Sequence, residues 1–137
     1  MANIDQSVVS RILNSTTSAT AFTTPTAPFK VRLNSTASTA STPGTELPNG
    51  GGYVTGGQTS TAPFASTSSA GSAVTIPHTA VLSWPNSSGS NWTIVSLDLF
   101  DAVPTRYWFG NFNGQPLTIA NGNTFQIAVD GISIALS

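Results

Sequence analysis

The sequence predicts an all-β fold, a single β-sandwich of jelly-roll or immunoglobulin-like type, with a short N-terminal helix and an extended arm. Three observations lead there. Short runs of β-branched and aromatic residues are interrupted throughout by Gly, Pro and Asn. Apolar spacing is helical only at the start, and from Phe29 it changes to alternation. The last third repeats that alternation in three runs separated by turn residues. With 137 residues, 39% of them hydrophobic and including three Trp and seven Phe, the chain can bury one core and is too apolar for a disordered segment.

Ile4, Val8, Val9, Ile12 and Leu13 recur at helical spacing, with Asn3 or Asp5 placed to cap the first turn and Asn14-Ser15 to end the last. A helix over roughly residues 5 to 14 follows, and the chain divides into a helix and arm (1–27) and a sandwich domain (28–137). Phe29, Val31 and Leu33 alternate with Lys30, Arg32 and Asn34, which predicts a strand with one buried and one solvated face. Ser35 to Gly52 is polar, rich in Pro and Gly, and reads as a long loop. Tyr53 and Val54 open a weak strand that crosses Gly56-Gly57 toward Phe64, where paired glycines suggest a bulge.

Val74 to Trp84 reads as an edge strand interrupted by Pro77, and Pro85 to Ser90 as a polar loop. Trp92 to Phe100 has apolar side chains on both parities and is expected to be the central strand, covered on both faces. In the aromatic strand Thr105 to Phe112, Tyr107 and Phe109 share one face and Trp108 takes the other. A type I′ turn at Asp130-Gly131 would set Val129 opposite Ile132, Ile127 opposite Ile134 and Phe125 opposite Leu136. A three-residue Asn121-Gly122-Asn123 loop would set Ile119 opposite Phe125 and Leu117 opposite Ile127, completing a three-stranded meander.

Only 7% of residues are charged, and the net charge is -1. Four scattered basic residues give no footprint for nucleic acid, whose binding rests on phosphate neutralisation. Without cysteine and with one histidine, His78, the chain has no disulfide, thiolate site or multi-histidine metal site, and no cofactor is expected. The sequence has no apolar run long enough for a membrane span and no N-terminal signal peptide, so no membrane association is expected.

His78, beside Pro77, has no local nucleophile or orienting acid and reads as a solvent-facing or hydrogen-bonded side chain. Asp98 and Asp101 form the nearest carboxylate pair, the residue type that glycoside hydrolysis needs, but they read more simply as strand-surface and loop carboxylates. Gly50-Gly51-Gly52 lacks the lysine of a phosphate loop and is followed by a strand, which makes it conformational. Trp84, Trp92, Tyr107, Trp108, Phe109 and Phe112 could stack on sugars or bases, although a core poor in large aliphatics needs such rings for packing. The apolar helix is too short to be stable alone, so Ile4, Val8, Val9, Ile12 and Leu13 must cover either their own domain or a partner.

Several motifs together resemble the small virion structural proteins of tailed bacteriophages, a group that includes head decoration, minor tail and tail-fibre proteins. They are the helical start from Ile4 to Leu13, Pro28-Phe29-Lys30-Val31-Arg32-Leu33, Gly44-Thr45-Glu46-Leu47 leading into Gly50-Gly51-Gly52-Tyr53, Phe100-Asp101-Ala102, Gly122-Asn123-Thr124, and the terminal Ile134-Ala135-Leu136-Ser137. The segment Val54-Thr55-Gly56-Gly57-Gln58 departs from the regular strand of that group. The resemblance spans nearly the whole chain and implies a non-enzymatic virion subunit made in the host cytoplasm. It implies first a capsid decoration or cement protein that binds the major capsid protein as a homo-oligomer, a trimer among the options. The alternative is a minor tail or tail-fibre module that partners tail proteins and recognises host surface glycans. The partner-binding residues expected are Ile4, Val8, Val9, Ile12 and Leu13.

Overall fold

The computed structural model describes residues 3–18, 21–60, 68–70, 73–77, 81–112, 115–129 and 131–136. His78 and Asp130 lie outside them, and so does the side-chain environment of the last strand. The described chain is mostly antiparallel strands with one helix. β1 (Asn3–Ile4) leads directly into α1 (Gln6–Thr17). Asp5 is its N-cap, accepting the Ser7 N–H at 2.8 Å. The helix runs past Asn14 because serine and threonine hydroxyls take up its last carbonyls: Ser15 donates to Ile12, Thr16 and Thr17 to Leu13, and Ser18 to Asn14.

A five-stranded sheet carries the centre of the molecule, in the order β1, β9 (Arg106–Asn111), β8 (Ser96–Phe100), β2 (Phe29–Asn34) and β3 (Gln58–Ser60). The register sets Val31 opposite Leu99 and Leu99 opposite Trp108, with Leu33 opposite Leu97 on the same face. That face meets Tyr53, Leu82, Trp84, Trp92, Ile94, Phe125 and Ile127 in one apolar core. The opposite face carries the rows Arg32–Asp98–Phe109 and Asn34–Ser96–Asn111. The expected solvated face of β2 is thus covered as well: Asn34 is fully buried, because the 35–46 loop folds back over it. β8 is doubly covered as expected, but polar groups make up its second cover.

The Trp92–Phe100 run is broken at Val95 into β7 (Trp92–Ile94) and β8, which pair in different sheets. Val74–Trp84 is likewise two strands, β5 (Ala73–Pro77) and β6 (Leu82–Pro85). The C-terminal meander is not formed. β10 (Leu117–Ile119) pairs with β7, β11 (Thr124–Ile127) with β6, and β12 (Ser133–Leu136) with β5, which also pairs with β4 (Ser68–Ala70). Residues 73–94 therefore run antiparallel to residues 117–136 through three successive ladders. The expected type I′ turn includes Asp130, which lies outside the described residues; the Gly131 N–H closes a turn onto the Ala128 carbonyl at 2.9 Å. Alternation fixes which face is apolar, and Phe125 finds Trp84 across β6, stacked at 5.7 Å, in place of the sequence-adjacent strand. The all-β fold class expected from the sequence is present, and among the described residues strand pairing alone gives four antiparallel sheets.

The expected strand at Tyr53 is instead a tight turn, with Gly50 and Tyr53 paired to each other. Gly52, at φ +92, lies so close to the next loop that a Cβ would fall 1.8 Å from the Pro85 carbonyl oxygen. Gly56, at φ +97, has nothing within 4 Å. Gly56→Ala is expected to lose only the backbone strain, about 1–3 kcal/mol. Gly52→Ala adds a backbone clash and is expected to lose substantially more or fail to fold. Urea unfolding midpoints check this, and equal losses for the two variants would refute the close approach.

Candidate functional site: a helix held on a buried charge cluster

Three of the four buried charged residues among those described, Asp5, Asp98 and Arg106, meet where α1 joins the sheet. Arg106, on β9, donates from Nε to Asp5 Oδ2 at 2.7 Å and from Nη2 to the Thr39 carbonyl at 2.7 Å, with Nη2 also paired to Asp5 Oδ2. Its Nη1 stands 3.6 Å from Asp98 Oδ1 on the neighbouring strand. The guanidinium lies 5.1 Å from the centre of the Phe109 ring. Asp5 uses its other oxygen for the helix, accepting the Ser7 N–H and hydroxyl. One carboxylate thus caps the helix and ties it to the sheet, and the Asp5 N–H to Tyr107 carbonyl bond and the Gln6 N–H to Ala40 carbonyl bond complete the junction.

Behind the cluster lies an uncharged network. Ser38 donates its hydroxyl to Asp98 Oδ1 at 2.7 Å and receives the Gly44 N–H at 2.8 Å. Asn34 donates to Ser38 and Ser96, while Asn111 brackets the Ser38 backbone, accepting its N–H and donating to its carbonyl, each at 2.9 Å. Asp98 Oδ2 is buried and has no hydrogen-bond partner among the described residues. Burial pushes the Asp98 carboxyl above its ordinary value, outweighing the pull of Ser38, Asn34, Arg106 and Arg32. Burial acts on Asp5 in the same direction, but the Ser7 and Arg106 hydrogen bonds outweigh it and hold that carboxyl below its ordinary value.

The helix itself is half used. Val8 is 3% exposed, packed onto its own chain, and Ile4 is half-buried in β1. At about 100° per residue, Ile12, Val9 and Leu13 lie about 40°, 100° and 140° round the helix from Val8. Their exposures are 39%, 41% and 57%, so the apolar stripe leaves the protein progressively. Of the five residues expected to meet a partner, Val8 is therefore closed off and Ile4 is engaged in a ladder, which leaves Val9, Ile12 and Leu13 as an exposed face.

The other sequence candidates do not converge. Asp101 accepts the Thr105 N–H at 2.9 Å and the Thr26 N–H at 3.3 Å, holding a turn, while Asp98 lies in the serine network. Asp98 is thus no surface carboxylate. Trp84, Trp92, Tyr107 and Phe109 are buried, and Trp108 and Phe112 are half-buried, so these rings pack inside. Arg11 donates to the Tyr107 hydroxyl and the Thr23 carbonyl, and Arg32 lies 3.7 Å over the Phe100 ring, so these cations too serve the fold. Among the described residues no group of three or more His, Asp or Glu could hold a metal, and no helix is long and apolar enough to cross a membrane. Sequence reasoning missed the Arg106 cluster; the one available signal was an isolated Arg opening an aromatic strand in a charge-poor chain.

Fold and site together describe a charge-poor, β-rich protein with one helix anchored on a buried charge cluster. Residues 3–135 match the family described as podophage GP4 fiber I protein gp80, and the chain belongs to that family. It is a bacteriophage virion structural protein. No curated protein matches the chain.

Arg106→Met would leave two carboxylates without their cation and is expected to cost about 3–5 kcal/mol at neutral pH. Asp98→Asn exchanges a charged orphan oxygen for a neutral group and is expected to cost at least about 2 kcal/mol less than that. The two carboxylates act oppositely with pH. The contribution of Asp5 is complete above its ordinary 3.8 and disappears as pH falls through its lower folded value. The protonated form of Asp98 is the better tolerated, so its contribution is complete below 3.8 and is lost as pH rises through its raised folded value. Unfolding midpoints of wild type and Asp98→Asn between pH 3 and pH 7 check this. The variant is expected to gain on wild type as pH rises, and a gain in the other direction would refute the assignment.

Proposed function

We propose that the chain is a non-enzymatic, fibre-type subunit of the phage virion that docks on a neighbouring virion protein through the exposed face of α1. The observation that carries this reading is the stripe of Val9, Ile12 and Leu13, left exposed on a helix that Asp5 and Arg106 hold in a fixed pose. A preformed apolar surface binds without the cost of ordering a flexible segment. Membership of a family named for a fibre favours the fibre reading over capsid decoration, the first of the two readings implied by the resemblance. Support for a mechanical role comes from the use of Asp98, Asp101, Arg32 and Arg106 inside the fold.

The test is the triple change Val9→Ser, Ile12→Ser, Leu13→Ser. These side chains are exposed, so the near-ultraviolet spectrum is expected to be unchanged and stability to shift by no more than about 0.5 kcal/mol per site. In phage lacking the gene and supplied with the variant, particles are expected to lack the subunit. Incorporation at the wild-type level would overturn the docking role of α1.

A further inference from the structure

The N-terminal segment, residues 3–18, is fixed to the sheet at few points. β1 makes two residue pairs with β9, Asn3 with Phe109 and Ile4 with Trp108, and the Asp5 N–H extends the ladder to the Tyr107 carbonyl at 2.9 Å. Of the twelve residues of α1 only Val8 is buried. Arg11 Nη1 donates to the Tyr107 hydroxyl at 3.1 Å, and the Gln6 N–H to the Ala40 carbonyl at 2.8 Å. The charged anchor is the pair of Asp5 with Arg106. We propose that this segment is a detachable strap: it leaves the sheet as a unit while the rest of the chain stays folded, and Arg106 then passes from Asp5 to Asp98.

The geometry around Asp98 supplies the second half of the device. Arg106 Nη1 stands 3.6 Å from Asp98 Oδ1, too far for a hydrogen bond, and neither Nη1 nor Asp98 Oδ2 has a hydrogen-bond partner among the described residues although both are buried. A cationic donor and an anionic acceptor on neighbouring side chains are thus both left over. While the strap is docked, two carboxyl groups compete for one guanidinium, and Asp5 holds it through Nε and Nη2. Once Asp5 leaves, a small rotation brings Nη1 onto Asp98, and one anion faces one cation. Breaking a buried ion pair is ordinarily costly because the remaining charge is left uncompensated. Here the replacement partner is already in place.

The surroundings stay behind when the strap leaves. Arg106 keeps the Thr39 carbonyl, and the 35–46 loop that carries it is held to the strands through Ser38 by Asp98 and Asn111. Arg32, across β2 from Asp98, is engaged elsewhere, lying 3.7 Å over the Phe100 ring and 3.9 Å from Glu46, while Glu46 also accepts the Tyr53 hydroxyl and the Gly56 N–H. The strap remains tethered, because Thr26 is bound through its N–H to Asp101 and through its carbonyl to the Ala102 N–H. Docked, α1 holds one pose; detached, it uncovers the β9 edge and Tyr107.

The inference is independent of what α1 touches in the virion. Hydrogen exchange of the full chain at neutral pH, resolved to α1, β2 and β8, is compared for wild type, Asp5→Asn and Asp98→Asn. In wild type the α1 amides are expected to exchange through an opening that leaves β2 and β8 protected, with protection about a hundredfold lower in α1. Asp5→Asn keeps a capping side chain but removes the charge, and is expected to lower α1 protection by about tenfold with β2 and β8 unchanged. Asp98→Asn removes the waiting partner, so the protection of α1 relative to β8 in the same molecule is expected to rise by about tenfold. A crystal structure of Asp5→Asn gives a second reading of the hand-over, with Arg106 Nη1 expected at about 3 Å from an Asp98 oxygen. Exchange of α1 only together with β8, unchanged α1 protection in Asp5→Asn, a ratio that stays level or falls in Asp98→Asn, or a guanidinium left in its wild-type position in the Asp5→Asn crystal would each overturn the proposal. The crystal result decides the hand-over even if Asp98→Asn does not fold.

Discussion

The arrangement of the N-terminal half depends on a single guanidinium. Arg106 stands between Asp5 and Asp98, with the Thr39 carbonyl as a further acceptor, so it joins the helix, the 35–46 loop and two adjacent strands. Two carboxylates share one cation, and the imbalance falls on Asp98, whose second oxygen has no hydrogen-bond partner among the described residues. A buried group of this kind contributes little net stability against an apolar replacement, but removing one member leaves the others exposed to the full cost of desolvation. Its structural effect is orientation: because Asp5 caps α1 with one oxygen and pairs with Arg106 through the other, the helix cannot turn without breaking both.

That constraint explains how a chain so rich in serine, threonine and asparagine holds a sheet covered on both sides. One face of the sheet packs on aromatics in the usual way: Tyr53 meets Trp92 edge-on at 6.3 Å, and Phe112 meets Phe125 edge-on at 6.5 Å. On the other face Ser38, Asn34, Ser96 and Asn111 replace a second apolar layer with short side chains that satisfy one another. Such a layer fits only at close range, and a Cβ on Gly44 would fall 2.4 Å from the Thr36 carbonyl oxygen. Tyr53 bridges the two layers, since its buried hydroxyl receives the Leu33 N–H and donates to Glu46. Burial pushes that hydroxyl's pKa well above its ordinary value, with the Glu46 hydrogen bond acting in the same direction.

What was legible in the sequence follows from the range of the forces involved. Local signals carry the Asp5 cap, the alternation of β2 and the opposed faces of Trp108 and Phe109, because each depends on neighbours a few residues away. The choice of strand partner is not local, and there the reading failed. Alternation places Leu117, Ile119, Phe125 and Ile127 on an apolar face, but which strand lies opposite is decided by Ile94, Trp92 and Trp84, between 23 and 41 residues away from their partners. The buried polar layer was invisible for a related reason. Asn34, Ser96 and Asp98 look like solvated positions until the 35–46 loop, itself apparently without anything to bury, closes over them. For the candidate site, the apolar helix was evident, but its division into a packed edge and an exposed face required knowing where Arg106 holds it.

The antiparallel course of residues 73–94 against 117–136 bears on what kind of molecule this is. Each ladder closes a long loop before any of its contacts form, which is slow and entropically costly compared with a meander. The arrangement instead places sequence-distant turns side by side at the Asn86 junction, where Gly122 N–H donates to the Asn86 carbonyl and Asn86 N–H to that of Asn123. Backbone bonds of this type, with the buried Asn86 side chain bonded to the Ser90 and Ile119 carbonyls, hold the turns against one another. The same logic governs the helix, whose inner edge is locked so that its outer face is presented in one orientation. The charged groups Asp5, Asp98 and Arg106 are thereby directed to holding the scaffold, and the outer face of the helix is a neutral stripe of Val9, Ile12 and Leu13. For a subunit fixed in a particle, rigidly presented neutral surfaces suffice, because recognition then rests on shape and hydrogen bonding at fixed geometry, with little dependence on salt.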